Sequence, residues 1–216
     1  MSDLSALISR VRQTLEDPDA KRFSDALLTC ALRQALEEID QRLPRSVIEE
    51  ITVTASGREQ PLVGLSGCLF LVKLVYPYDS SSAQELEPET QFSYRMNEGI
   101  PTVHFFGRLI PQAGDKLEVH YAAQNAIAGL DAAEATTLPA VCESALVNGA
   151  AGYACSLRAA SLIETYGTRP VESAHLLESG QLWLDLFHRN MDGLKVLQEF
   201  GFPPGFALDG WDSVRR

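Results

Sequence analysis

No apolar run in this 216-residue chain approaches the ~20 residues that span a bilayer. The start, Met1-Ser2-Asp3-Leu4, lacks the basic-then-apolar order of a secretory signal. Basic residues are scarce. Eighteen Lys and Arg stand against 29 Asp and Glu, leaving a net charge of −11. Between Leu117 and Leu157 there is no Lys or Arg at all, whereas Glu118, Asp131, Glu134 and Glu143 fall there. Proteins that grip nucleic acid concentrate cations to displace phosphate counterions, so that function is excluded as a first reading. An acidic surface still suits DNA passage, because it repels the duplex. Cysteine is sparse too: Cys30, Cys68, Cys142 and Cys155 make no C-x-x-C pair and no zinc spacing. They read as small buried thiols in a reducing compartment. With 45% hydrophobic and 22% charged residues, the chain is expected to be a soluble, non-exported globular domain with an elaboration.

The motifs of catalysis are also missing. Gly64-Leu65-Ser66-Gly67 places a serine as a nucleophile elbow would, but Cys68 stands where the last glycine belongs. Neither a phosphate-binding loop nor a G-x-G-x-x-G after a strand occurs. Glu172 and His175, at i and i+3, resemble half of a di-iron ligand set, and Asp185 with His188 is a weaker copy. Both pairs lie on one expected helix, ~20 Å apart along its axis, and cannot face each other within a subunit. His104 and His120 fall on two expected strands, and the register decides whether they share a face. The expectation is a protein without catalytic residues, cofactor or metal. The alternative is a small helical metal-binding protein or enzyme using Glu172 and His175.

Periodicity divides the chain. Leu4, Leu7, Ile8, Val11 and Leu15 recur at helical spacing after Ser2 or Asp3 as cap, and Pro18 ends that helix. Ser24 caps a second helix with Leu28, Leu32, Leu36, Ile39 and Leu43 on one face, and Phe23 can staple onto Leu28. After Pro44 the period becomes two. Ile51, Val53 and Ala55 alternate, as do Phe92, Tyr94 and Met96, and Leu117, Val119 and Tyr121. Cys68 to Tyr76 reads as a more buried strand, and Tyr78 to Glu89 as a polar surface loop. Helical character returns at Pro139. Ala145, Gly149 and Gly152 form a strip small enough for a neighbouring helix to approach closely. A last long helix from Val171 to Glu199 has Leu177, Leu184, Phe187, Met191 and Leu194 as its seam, widened by Leu176, Trp183 and Leu197. Residues 201–216, GFPPGFALDGWDSVRR, form an extended aromatic tail, because two prolines and three glycines forbid a regular helix.

The expected fold is α+β: a four-helix bundle of two helical hairpins with an inserted small antiparallel β module and an extended C-terminal tail. Its parts are 1–44 (first hairpin), 45–125 (β module), 126–200 (second hairpin) and 201–216 (tail). Leu176, Trp183 and Leu197 are candidates for contacts between subunits, since the last helix has more apolar circumference than one partner covers.

This order resembles the head–tail adaptor (connector) proteins of tailed bacteriophages, including the tail-tubular type. LSALISRVRQTLEDPDAKRFSDALLTCALRQALEEI is similar to their opening, with its acidic turn and aromatic–Ser–Asp cap. RLIPQAGDKLEVHYAA resembles their hairpin into a strand ending in Tyr, here Tyr121, and TTLPAVCESALVNGAAGYACSL their Pro-started, alanine-rich helix. The resemblance implies a structural protein of the virion neck, assembled in the host cytoplasm, with no membrane association. It implies a homo-oligomeric ring, commonly twelve-fold, beneath the portal protein, which joins it to tail or neck proteins while DNA passes without sequence-specific binding. It also points to the tail as the portal anchor, through Phe202, Phe206, Trp211, Arg215 and Arg216.

Overall fold

The computed structural model describes residues 2–78, 85–86, 90–97, 99–166 and 170–199, and the side chains among these except 164–166, 170 and 197–199. Among the described residues are four α-helices and seven strands in two antiparallel sheets, an α+β chain. It divides into two compact units, one holding the chain up to Leu43 and from Asn125 onward, the other Pro44–Gln124.

The helical unit begins with α1 (Leu4–Thr14), whose cap is Asp3; the carboxylate accepts the Ala6 N–H at 2.8 Å. Ser2 is not the cap. Its N–H and hydroxyl both donate to Glu143, at 2.9 Å each. After α1 the backbone turns through left-handed residues at Glu16 (φ 51°) and Ala20 (φ 57°). Asp17 holds this turn by accepting the N–H groups of Lys21, Arg22 and Phe23 at 2.9–3.1 Å. Arg12 reaches across it to the Phe23 carbonyl (2.8 Å) and to Asp25 (2.5 Å). Ser24 then caps α2 (Asp25–Arg42), its hydroxyl accepting from Leu27 at 3.3 Å.

A short 3-10 turn, Ala140–Cys142, leads into α3 (Glu143–Tyr166), and α4 runs from Pro170 to Glu199. One core collects the inward faces: Leu7 and Val11 of α1, Leu28, Leu32 and Ile39 of α2, Leu146 of α3, and Phe187 and Met191 of α4. Each such side chain, fully buried, contributes ~1.5–3 kcal/mol. Phe23 and Leu28 lie together in this core, as a staple requires. Asp40, near the end of α2, accepts both the backbone and the side-chain N–H of Asn125, at 2.9 and 2.7 Å.

The β unit holds β1 (Arg45–Thr52), β2 (Glu59–Pro61), β3 (Cys68–Val75), β4 (Glu85–Leu86), β5 (Phe92–Asn97), β6 (Ile100–Phe105) and β7 (Lys116–Ala123). One sheet has the order β1-β7-β3-β4 and the other β2-β6-β5. Leu117, Val119 and Tyr121 point inward from β7, with Lys116, Glu118 and His120 on the other face, as alternation requires. Tyr121 donates to Glu49 (3.0 Å) and Tyr76 to Asp115 (2.6 Å).

Three readings of the β segment change. The 78–89 loop contains a strand: β4 pairs with β3, and Leu86 is buried in the sheet core. Strand β3 is not a wholly buried strand, for Phe70 and Val72 are exposed. Its ladder with β7 shifts register between Cys68 and Phe70 and again between Leu71 and Lys73. Each bulge adds a residue and re-aims the side chains after it, so an unbroken apolar run serves both faces. In β5, Phe92 is buried but Tyr94 and Met96, on the same face nearer the hairpin's tip, are exposed.

Candidate assembly surfaces

The small strip on α3 sets the approach of α4. A β-carbon on Gly152 would lie 2.7 Å from Leu184 Cγ and 2.9 Å from the Gly180 carbonyl oxygen. One on Gly149 would lie 3.0 Å from Ala35 Cβ and 3.1 Å from the Phe187 ring. Glycine is therefore required where the two helices cross, and the small residues serve the subunit's own packing.

That closeness decides what the last helix leaves outside. Leu176 and Trp183, the candidates for contacts between subunits, are half-buried against the helical core. The side chain of Leu197, the third candidate, lies outside the described residues. The exposed large apolar groups on α4 among the described residues are Val171, Leu177, Leu182 and Val196. At ~100° per residue Val171, Leu182 and Val196 fall within about 40° of one another, along one line of the helix. Their spacing of eleven and fourteen residues hid them behind the stronger seam.

Glu38 of α2 ties three helices together. It accepts from Tyr153 of α3 (2.5 Å), from Arg42 (2.7 Å) and lies 2.9 Å from His188 Nε2 of α4. Burial, and then the Glu38 carboxylate, push the Tyr153 phenol up to about 12. His188 thus faces Glu38 and not Asp185, which accepts from Gln181 at 2.7 Å. Glu172 and His175 are both exposed. Among the described residues no group of three or more His, Cys, Asp or Glu is placed to hold a metal ion. His104 and His120 lie in different sheets; His104 packs beside Phe106 and His120 bonds Glu118 at 2.7 Å.

The acidic stretch from 117 to 157 is largely engaged within its own units. Arg33 grips Asp131 with two bonds of 2.9 and 2.5 Å, and Arg10 meets Glu143 at 2.7 Å. Burial pushes the Glu143 carboxyl up, but Ser2 and Arg10 outweigh it and hold the group below its ordinary value. Glu118 is held low by His120. Glu134 stands exposed. No helix among the described residues is long and apolar enough to cross a membrane.

The model of a protein family described as SU10 adaptor protein matches residues 2–199. The chain belongs to that family. Membership bears out the resemblance to head–tail adaptors. Among solved structures, the adaptor is similar to a chain in the neck of an empty GTA particle computed with C6 symmetry, at 20% identity and TM-score 0.29. That likeness covers 60% of the adaptor and 67% of the other chain. The search of curated proteins gives no match. The adaptor's tail candidates, Phe202, Phe206, Trp211, Arg215 and Arg216, lie outside the described residues and past the end of the matched span.

Proposed function

We propose that this adaptor forms a ring of identical subunits beneath the portal, twelve-fold, in the neck of the virion. It joins the capsid to tail or neck proteins and surrounds the path of the DNA. Subunits assemble in the host cytoplasm. The family match over 2–199 carries this reading, and the net charge of −11 supports it, since a negative lining lets a duplex slide. In this reading the hairpins 1–44 and 126–200 act as one bundle, the module 45–125 is an insertion, and residues 201–216 anchor the adaptor to the portal. Phe202, Phe206 and Trp211 are the bulky anchors, with Arg215 and Arg216 meeting acidic groups. Leu176, Trp183 and Leu197 add to the contacts between subunits.

Purified portal rings mixed with the full chain provide the test. Co-sedimentation and electron microscopy should find a ring of adaptors on each portal. Removal of residues 201–216 should leave melting unchanged and abolish portal binding. A single adaptor per portal would sink the ring, and normal binding by the truncated chain would sink the anchor.

A further inference from the structure

Exposed apolar groups are concentrated in the β unit. Of the fourteen large hydrophobic residues exposed among the described residues, eight (Ile48, Val63, Phe70, Val72, Tyr94, Met96, Ile100 and Ile110) belong to it. Five of these form two separate patches.

The first is the outer face of the four-stranded sheet. Ser46, Ala122 and Phe70 lie in one row across β1, β7 and β3, and Ile48, His120 and Lys73 in the next. Val72, the extra residue of the second bulge, stands beside them. Ile48, Phe70 and Val72 are 59%, 45% and 57% exposed. The polar groups around them already have partners: Lys116 pairs with Glu50 (2.6 Å), Lys73 pairs with Glu85 (2.7 Å), and Glu118 hydrogen-bonds His120 (2.7 Å). An apolar centre inside a rim of satisfied ion pairs has the make-up of a protein interface.

The second patch is the end of the β5–β6 hairpin. Pairing from β2 reaches only as far as Pro101, through the Leu62 N–H at 2.8 Å. Beyond it only the Asn97–Ile100 rung is two-stranded; Tyr94 and Met96, opposite Val103 and Pro101, share one face of the ribbon and are exposed, and Ile100 stands at the tip on the other face. Tyr and Met are side chains enriched at interface centres.

Charge matches the two patches to each other. The sheet face carries Glu50, Glu85 and Glu118 against Lys73 and Lys116, one net negative charge. By sequence, segments 57–64 and 92–110, which include β2, β5 and β6, carry Arg58, Arg95 and Arg108 against Glu59 and Glu98, one net positive charge in a chain of −11. Two different apolar patches of opposite sign on one compact unit suit a head-to-tail contact, the kind that closes into a ring when the rotation permits.

We infer that the β5–β6 hairpin of one adaptor, through Tyr94 and Met96, docks on the sheet face of the next copy at Ile48, Phe70 and Val72. The inference rests on the ring reading and assigns its main contact to the β unit and not to α4. The test uses full chains with Met96→benzoylphenylalanine, mixed as light- and heavy-nitrogen copies, at high concentration alone and on portal rings. After illumination, mass spectrometry should find position 96 joined to the 46–52 or 68–75 segment of the other isotopic copy. Val72→Glu should lower that yield at least about tenfold, with far-UV dichroism and melting unchanged. Ile48→Lys serves as a second disruption from a neighbouring strand. Inter-copy links that go to α4, or a yield untouched by both substitutions, would overturn the docking while leaving the ring intact. If no inter-copy link forms even on portal rings carrying many adaptors, the docking is likewise refuted. If the portals carry no ring at all, both readings fall together.

Discussion

Replacing Gly152 with alanine tests the helix crossing most directly. The added carbon would sit 2.7 Å from Leu184 Cγ, 2.9 Å from the Gly180 carbonyl oxygen and 3.0 Å from Leu184 Cδ2. Leu184 can rotate away, but the Gly180 oxygen is backbone on the facing helix, so α3 and α4 must separate. Overpacking of this kind costs ~1–3 kcal/mol. Alanine returns about 1 kcal/mol through its better helix propensity. The net expectation is a loss of about 0–2 kcal/mol. Gly193 supplies the control, since nothing lies within 4 Å of its added carbon and the residue is exposed on α4. There only the propensity gain remains, and Gly193→Ala should stabilise by up to about 1 kcal/mol. The two variants should differ by roughly 2 kcal/mol, or about 4–8 °C in melting temperature for a chain of this size. Urea and thermal unfolding followed by dichroism at 222 nm report on the helical unit. Equal stability of the two variants would refute the close crossing.

Asp17→Asn should cost about 1–3 kcal/mol, because buried N–H groups lose a charged acceptor; urea midpoints measure it. In the wild type, burial raises the Asp17 pKa, but the Phe23, Arg22 and Lys21 N–H groups outweigh that and hold it below the ordinary 3.8. Its stabilisation is therefore complete above that value and is lost as pH falls through the lowered one. Tyr76, Tyr121 and Tyr153 are each pushed up to about 12, by burial first and then by Asp115, Glu49 and Glu38. An unfolded phenol ionises near 10, so stability should be level below pH 10 and fall as pH rises towards 12, with little phenolate absorbance from these three before unfolding. Burial pushes the Cys142 thiol up to about 11 and raises that of Cys155 as well. Both should be silent to a thiol reagent in the native protein and react on unfolding; native labelling of either would contradict their place in the core.

Local chemistry explains which parts could be read from the residues alone. Asp3, Ser24 and Pro44 act through their nearest neighbours, so the starts of α1 and α2 and the end of α2 follow from them. The alternation of Leu117, Val119 and Tyr121 is likewise local. The strip Ala145-Gly149-Gly152 announced a close approach, though not that Gly180 and Leu184 would meet it. What stayed hidden depends on pairing between distant segments. Nothing in Cys68–Val75 marks where its partner strand slips by a residue, and the two slips expose Phe70 and Val72. Leu86 looked like one apolar residue in an acidic loop until β3 offered an edge to pair with. Similarly, Glu143 and Asp131 read as free surface charge, because Arg10 and Arg33 lie about a hundred residues away in sequence. The chosen surface residues suffered from the same limit. Leu176 and Trp183 stood out by size, whereas exposure depends on what α3 covers.

The two ends of the β insertion are fastened together twice. On the helical side, Asp40 binds Asn125 through two bonds. Within the insertion, Arg45 is paired with Ala123 across the first rung of β1 and β7. The chain therefore leaves and returns at neighbouring points, and each unit keeps a separate hydrophobic core. Such a junction behaves as a cassette slot. The insert can be lengthened, recoded or exchanged for a foreign module with adjacent ends without re-registering the helices. Lineages that keep the helical chassis are then free to alter what the inserted piece recognises, and a designer can do the same by joining at residues 43 and 125.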